Sequence, residues 1–289
     1  MRSRPTGRRP LLRAASLLTP VLGTALAAPI ALAGPAAAAA PAATAAVNEY
    51  GWHLTYTAAP GQANKVAVTQ SHAGDRSGFV FVIDDVVPVT VGKGCTHPDG
   101  TDLTRISCTV EAPESQSPLN SLEMDLGDGA DTASYANATD QIYYFATVEL
   151  GGGNDTWTGA VGSGVDGSSV HGGAGNDTLT AGALAYAGGD GGADTLRSDR
   201  GGSIVDGGAG NDSLRGGKGD QILRADDGDD TVHGGDGNDE LYGGRGDDVL
   251  HGNGGDDLMW GNSGDDELYG GPGRDTLSGG PGRNVVRQD

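Results

Sequence analysis

Aspartate recurs every nine residues in the C-terminal part of the chain, in a setting of glycine. Residues 207–287 divide into nine consecutive blocks of nine without an insertion, starting at Gly207. The sixth position is Asp in seven blocks, and Gln221 and Asn284 take that place in the other two. The seven are Asp212, Asp230, Asp239, Asp248, Asp257, Asp266 and Asp275. Carboxylates at a fixed spacing suit a hard divalent cation, and calcium accepts about six to eight carboxylate and carbonyl oxygens in flexible geometry.

The other positions of the block predict how these carboxylates are held. The fourth position is Gly in every block, and the eighth is aliphatic or Met in every block, from Leu214 to Val286. Glycine allows positive φ angles and leaves carbonyls uncovered, so we predict a turn followed by a strand with one inward side chain. Eighteen residues then complete one coil, and aspartates eighteen apart stack. One row contains Asp212, Asp230, Asp248 and Asp266, and the other contains Asp239, Asp257 and Asp275.

Upstream of residue 207 the same unit recurs less regularly. A full copy at Gly172–Leu179 contains Asp177, and degraded copies contain Asp194, Asp155 and Asp131. Their irregular spacing predicts imperfect coils over residues 126–206. Carboxylates stacked at the strand spacing of ~4.8 Å repel one another, so the array should need cations in order to fold. Calcium fits better than magnesium, which prefers a stricter octahedron and retains its waters.

The blocks Gly207–Arg215 and Gly234–Tyr242 resemble the repeats-in-toxin (RTX, haemolysin-type) calcium-binding nonapeptide. This resemblance implies an all-β fold, a parallel β-roll (β-solenoid) with several calcium ions in its turns, bound by aspartates and loop carbonyls. The implied ligands are Asp177, Asp194, Asp212, Asp230, Asp239, Asp248, Asp257, Asp266 and Asp275, with Gly210, Gly228, Gly237, Gly246, Gly255, Gly264 and Gly273. A disordered Gly/Asp-rich tail is the alternative that composition allows, and we expect it to prevail without calcium.

The first 40 residues have the layout of a secretory signal peptide. Five Arg precede residue 14, a mostly apolar stretch follows, and small residues end near Ala40, where cleavage is expected. Gly7–Leu12 also resembles a twin-arginine export motif; an ordinary signal and an uncleaved anchor are the alternatives. We therefore expect secretion to the extracellular space.

Residues 47–125 contain short β-type runs separated by turn residues, and we expect a small β region that caps the roll. Cys95 and Cys108 are the only cysteines, and in an exported chain two cysteines at this spacing predict one disulfide. A metal site with His97 is the less favoured alternative because it has too few ligands. The predicted organisation is a signal peptide (1–40), a cap (47–125), degenerate repeats (126–206) and nine regular repeats (207–287).

Motifs for catalysis are missing from the sequence. No His is followed by Glu as in zinc proteases, and no Ser is flanked by Gly at both −2 and +2. Asp84 and Asp85 could form an acid/base pair, although a strand-end turn or a calcium ligand is favoured. Two sets of ninth-position side chains lie eighteen apart and should stack on opposite faces, as a sugar-binding or transition-metal strip or as cross-strand packing. They are Tyr242 with Trp260, and His233 with His251 and Tyr269.

The charge of the chain limits its partners. The net charge of −21 repels nucleic acid and anionic lipid and attracts cations. No apolar segment beyond the leader is long enough to insert into a membrane. We expect a secreted, non-enzymatic calcium-binding protein with a structural or adhesive role and an unidentified cell-surface or polysaccharide partner. The alternative is a carbohydrate-binding or carbohydrate-active protein that uses the surface of the solenoid.

Overall fold

The computed structural model describes residues 41–112, 119–139, 141, 144–160 and 165–288, which lie in the compact unit Ala40–Asp289. These ranges contain strands, turns and irregular segments and no helix. Accordingly, no helix among them is long and apolar enough to cross a membrane. The predicted signal peptide lies outside the described residues.

The described residues form 25 strands. Their bounds are β1 Ala43–Val47, β2 Leu54–Thr57, β3 Lys65–His72, β4 Gly78–Asp84, β5 Val89–Val91, β6 Cys95–Thr96, β7 Arg105–Glu111, β8 Leu119–Asp125, β9 Thr132–Asn137, β10 Tyr144–Gly152, β11 Thr156–Thr158, β12 Ser169–Ala174, β13 Thr178–Ala181, β14 Tyr186–Gly191, β15 Thr195–Ser198, β16 Ile204–Ala209, β17 Ser213–Arg215, β18 Ile222–Asp227, β19 Thr231–Asp236, β20 Glu240–Arg245, β21 Val249–Gly254, β22 Leu258–Ser263, β23 Glu267–Tyr269, β24 Thr276–Ser278 and β25 Val285–Arg287.

From β8 onward the strands alternate between two parallel sheets, so that one strand from each sheet makes one coil. The first sheet orders β8, β10 and the following even-numbered strands to β24, and the second orders β9, β11 and the following odd-numbered strands to β25. In the regular part Ser213 pairs with Thr231 and Ile222 with Glu240, a shift of eighteen residues. The predicted parallel β-roll is confirmed.

The coils upstream of the regular repeats have unequal lengths. The same turn position recurs after 24 residues from Asp131 to Asp155, after 22 to Asp177 and after 17 to Asp194. From Asp194 onward the interval is 18 residues. The extra residues of the long coils therefore lie between strands and leave the stack of turns in register.

Antiparallel strands close the N-terminal end of both sheets. β2 and β3 pair in parallel with β8 and β9 and so form the first coil of the roll. Beyond them β4, β7 and β6 continue the second sheet in antiparallel fashion, and β1 does so in the first. The predicted disulfide between Cys95 and Cys108 is present and joins β6 to β7. At this end the outermost strands are β5 and β6, which are only three and two residues long, and short edge strands limit pairing with another chain.

A thin core runs along the axis of the roll. Each regular block contributes its eighth residue, which is fully buried from Leu214 through Leu268. At the C-terminal end Leu277 is only partly buried and Val286 is 48% exposed. The wider N-terminal end is filled by larger side chains, including Tyr56, Phe81 and Trp157. A core of one apolar side chain per nine residues buries little surface, so the turns must contribute to stability.

The second and fourth positions of the block differ in how strictly they require glycine, and the backbone angles of the turns explain why. The fourth position has φ between +126° and +158° in eight of nine blocks, a region that only glycine enters easily. The second position has φ near +70° at Asp226, Asn253 and Asn262, the left-handed region that Asp and Asn tolerate. Only the fourth position therefore requires glycine throughout.

Candidate metal centre

Side-chain-to-backbone hydrogen bonds connect the sixth-position aspartates of successive coils. Oδ1 of Asp230 accepts the backbone N–H of Asp212 at 2.6 Å, and Oδ1 of Asp248 accepts that of Asp230 at 3.0 Å. Oδ1 of Asp266 accepts the N–H of Asp248 at 3.1 Å. One oxygen of each carboxylate is thus committed to the backbone of the preceding coil.

This ladder is longer than the sequence predicted. It continues upstream through Asp194, Asp177, Asp155 and Asp131, with N–O distances of 2.7 Å at each step. We call this row the long ladder, and its members are Asp131, Asp155, Asp177, Asp194, Asp212, Asp230, Asp248 and Asp266. Asp131 and Asp155 were not among the predicted ligands, although both end degraded copies of the repeat.

The opposite row of turns holds the short ladder, which consists of Asp239, Asp257 and Asp275. Oδ1 of Asp257 accepts the N–H of Asp239 at 2.8 Å, and Oδ1 of Asp275 accepts that of Asp257 at 3.0 Å. Upstream of Gln221 this row has no carboxylate immediately before its strands, because Ser168, Ala185 and Ser203 stand there. The two rows of turns therefore differ in acidic content.

The second oxygen of these carboxylates is buried and has no hydrogen-bond partner. This holds for Oδ2 of Asp131, Asp155, Asp177, Asp194, Asp212, Asp230, Asp239, Asp248, Asp257 and Asp266. A buried, unpartnered carboxylate oxygen is costly unless a proton or a cation satisfies it. Burial accordingly raises the pKa of Asp194, Asp230 and Asp248 to about 7, opposed in part by the backbone N–H that each accepts.

Backbone oxygens converge on the same places. A β-carbon built at Gly207 would lie 2.6 Å from Oδ2 of Asp212 and 2.7 Å from the carbonyl oxygen of Ala225 in the next coil. At Gly234 the corresponding distances are 2.7 Å to Oδ2 of Asp239 and 2.6 Å to the carbonyl oxygen of Gly252. Clustered carboxylate and carbonyl oxygens with no donor among them match the ligand chemistry of calcium.

The fourth-position carbonyls are also available as ligands. Among the described residues, the carbonyl oxygens of Gly210, Gly228, Gly237, Gly246, Gly255, Gly264 and Gly273 accept no hydrogen bond. Each of the first six points at the fourth-position glycine of the next coil, where a β-carbon would collide with it. The residues present therefore fit a calcium ion, with ligands drawn from one or two carboxylates and several carbonyls.

Side-chain amides end both ladders. The long ladder begins at Asn64, whose backbone N–H donates to Oδ1 of Asp131 at 2.5 Å. It ends at Asn284, whose side-chain Oδ1 accepts the backbone N–H of Asp266 at 2.7 Å. The short ladder starts at Gln221, whose Nε2 donates to the carbonyls of Lys218 and Gly219. The amide of Gln221 thus satisfies with its own protons the third- and fourth-position carbonyls of its turn.

A further ladder at the fifth position was not predicted. Asn or Asp occupies this position in seven of nine blocks, and its Oδ1 accepts the N–H eighteen residues later. Asn211 accepts from Asp229 at 3.1 Å, and Asp229 accepts from Asp247 at 2.9 Å. These side chains are exposed and the bonds run in the opposite direction to those at the sixth position. Successive coils are therefore joined by two oppositely directed sets of bonds on the same turns.

Side-chain ligands alone do not make a site in the described part of the chain. No group of three or more His, Cys, Asp or Glu side chains there is arranged to hold a metal. A calcium ion in the turns would depend on main-chain oxygens for most of its ligands.

Two other carboxylates named from the sequence have different surroundings. Asp85 is buried and accepts hydrogen bonds from Tyr56, Asn64 and the backbone of Lys65. Asp84 is half-buried and pairs with Arg105 at 3.7 Å.

The ninth-position aromatics stack on one another. The rings of His233 and His251 are 4.7 Å apart at 6°, and those of Tyr242 and Trp260 are 4.7 Å apart at 9°. The rings of His251 and Tyr269 are 4.9 Å apart. Each ring covers one face of its neighbour, as the predicted cross-strand packing requires.

The fold and the turns define a parallel β-roll with calcium-type ligands in its turns. The family model of the RTX calcium-binding nonapeptide repeat, which spans four copies, matches residues 163–183, 188–222, 216–250, 224–259 and 251–286. Copies of the RTX calcium-binding repeat are therefore found across residues 163–286 of this chain. No curated protein matches the chain.

Proposed function

We propose that the chain is a secreted, non-catalytic calcium-binding protein whose roll folds when calcium enters its turns. Calcium supplies the positive charge that the stacked carboxylates lack, and oxygen ligands of the turns hold it. The observation that carries the proposal is the series of buried Oδ2 atoms without a donor. Each of them would otherwise need a proton at neutral pH, against the ordinary acidity of a carboxyl group.

The proposed ligands are the sixth-position aspartates of both ladders and the fourth-position carbonyls. They include every aspartate and glycine that the repeat pattern indicated, and Asp131 and Asp155 join them. An ion between two stacked carboxylates has five such pairs in residues 207–289. The long ladder adds the pairs upstream of Asp212. We expect at least five ions in the regular repeats and weaker binding beside Gln221 and Asn284.

Calorimetric calcium titration of the chelator-treated protein, followed by circular dichroism, tests the proposal. We expect β signal to appear as calcium reaches roughly 0.1–1 mM, the range of extracellular modules. A spectrum that chelation leaves unchanged would remove the coupling between calcium and folding. One or two bound ions would contradict the pairing of stacked carboxylates.

A structural or adhesive role is proposed because the turns are suited to bind cations. The functional groups that the fold brings together are oxygen ligands, and their chemistry is cation binding. Secretion is proposed from the layout of residues 1–40, and extracellular calcium would then be available to fold the roll. Export of a reporter by residues 1–40, and its loss when the five leader arginines are replaced, would test that step.

A further inference from the structure

Two arginines and two histidines form a column on the outer face of the second sheet, although the chain has a net charge of −21. The parallel register places Arg197 beside Arg215 and Arg215 beside His233, and His251 follows. The outward neighbours at the seventh position of these strands are neutral, namely Thr195, Ser213 and Thr231. On β15, β17 and β19 the one exposed acidic residue is Asp236, at the end of β19.

The column borders an open groove of about 940 Å³. Arg197, Arg200, Arg215 and Lys218 all line it, and we call these four residues the basic strip. All four are exposed. Arg200 pairs with Asp199 at 3.9 Å, whereas no ion pair within the described residues involves Arg197, Arg215 or Lys218. The groove lies where the turns lack the aspartates of the short ladder.

Unmatched like charges at opposed positions of neighbouring strands destabilise a sheet. Two other exposed arginines of the roll have an acidic partner eighteen residues away. Arg245 bonds Asp227 at 2.9 Å, and Arg283 bonds Asp265 at 2.7 Å. Arg197 and Arg215 are opposed to each other instead, and the pKa of His233 is lowered by partial burial and by the nearby charges of His251 and Arg215. An anionic ligand from outside the chain would relieve this repulsion.

We propose that the basic strip binds a linear anionic polysaccharide, one that carries carboxylate or sulfate groups along its chain. The guanidinium groups of Arg197 and Arg215 can each engage such a group with two hydrogen bonds. They repeat along the roll at the strand spacing of ~4.8 Å, which is close to the length of one sugar unit. This activity requires a folded roll but is separate from the calcium ligands.

The surroundings of the strip favour a narrow polymer. Asp199 and Asp236 also line the groove, beside the four basic residues. A nucleic acid duplex would bring its phosphates over these carboxylates, whereas proteins that bind it present broad basic surfaces. A neutral sugar chain would need free aromatic faces, but the rings of His233 and His251 cover each other. A single extended anionic chain can stay on the strip.

The test uses the full-length protein with calcium and three polymers that share one backbone: dextran sulfate, carboxymethyl-dextran and neutral dextran. We expect the two charged polymers to bind, with affinity that falls as salt rises, and neutral dextran not to bind. Arg197→Gln/Arg215→Gln should weaken binding at least tenfold. The control Arg76→Gln/Arg274→Gln removes the same charge elsewhere and should change the affinity less than twofold.

Several results would overturn the proposal. They are equal losses in both double variants, equal binding of neutral dextran, or equally tight binding of a DNA duplex. Sedimentation that shows the strip to be occupied by a second copy of the chain, with dissociation only in Arg197→Gln/Arg215→Gln, would also overturn it. The calcium midpoint of each variant is measured in parallel. A strip variant with unchanged calcium response and lost polymer binding separates this proposal from the calcium function.

Discussion

Replacement of Gln221 by aspartate should convert the weak calcium position beside Gln221 into a full site. Gln221 occupies the sixth position at the start of the short ladder, and its N–H already donates to Oδ1 of Asp239 at 2.8 Å. A carboxylate at this position would thus stand in register with Asp239. In Gln221→Asp, the carbonyls of Lys218 and Gly219 lose their donor and become free to bind an ion.

The substitution should have opposite effects with and without calcium. Without calcium it removes three hydrogen bonds of the amide, those to Gly217, Lys218 and Gly219. At about 1 kcal/mol each this amounts to a loss of about 3 kcal/mol. With calcium at about 100 times the dissociation constant of the new site, binding would contribute about 2.7 kcal/mol, which nearly offsets the loss. The thermal midpoint should therefore fall in chelator and recover in calcium.

Equilibrium dialysis and calorimetry would count the ions, and thermal unfolding would be followed in both conditions. We expect one more tightly bound ion than in the parent protein. Gln221→Ala is the matched control, because it removes the amide without adding a carboxylate; it should be destabilised in both conditions and gain no ion. If Gln221→Asp and Gln221→Ala have the same ion count and the same thermal midpoints, the amide of Gln221 does not take the place of a calcium ion.

Three further predictions concern the turns. Asp248→Asn should weaken the binding of two ions in calorimetry, because Asp248 belongs to two stacked pairs, whereas Glu267→Gln, an exposed loss of the same charge, should weaken none. Gly246→Ala should lower the stability of the calcium-loaded form by about 1–3 kcal/mol through backbone strain, since φ at Gly246 is +126°. The control Gly74→Ala should unfold at the same temperature as the parent protein, because a β-carbon at Gly74 meets nothing within 4 Å. In chelator, β signal should rise as the pH falls from 7 toward 4. The pKa of Asp230 is raised to about 7 in the folded protein, so in this range the folded state binds a proton that the unfolded chain does not bind, and the folded state is stabilised. Over the same range calcium affinity should fall, and circular dichroism with no such pH dependence would contradict the burial of these carboxylates.

Periodicity made the regular repeats predictable from sequence. The eighth-position residues, from Leu214 to Leu268, are buried as their spacing indicated, because a strict interval of nine fixes which side chain points inward. The first coil was not predictable in the same way. Asn64 and Asp131 are 67 residues apart, and the antiparallel strands between them hide the repeat from any fixed period. The fifth-position hydrogen bonds were not predicted either. The sequence shows Asn or Asp at that position, but it does not show which backbone N–H each side chain accepts.

The residues at the ends of the ladders differ from those inside because they have a carboxylate neighbour on only one side. An interior aspartate lies between two coils, so an ion beside its Oδ2 can be shared with the next carboxylate. An end position has a carboxylate neighbour on one side only, and there the chain places an amide that carries its own protons. Asn284 donates Nδ2 to the carbonyl of Gly280 at 2.9 Å, Asn64 donates to Asp85 at 2.8 Å, and Gln288 donates to the carbonyl of Asp275 at 2.8 Å. Gln288 bonds the backbone of the last aspartate, whereas Asn64, Asn284 and Gln221 each stand in register with a ladder aspartate. At these three ends an amide takes the place of a carboxylate, and ion capacity should change one site at a time as Asn64, Asn284 and Gln221 are exchanged for aspartate.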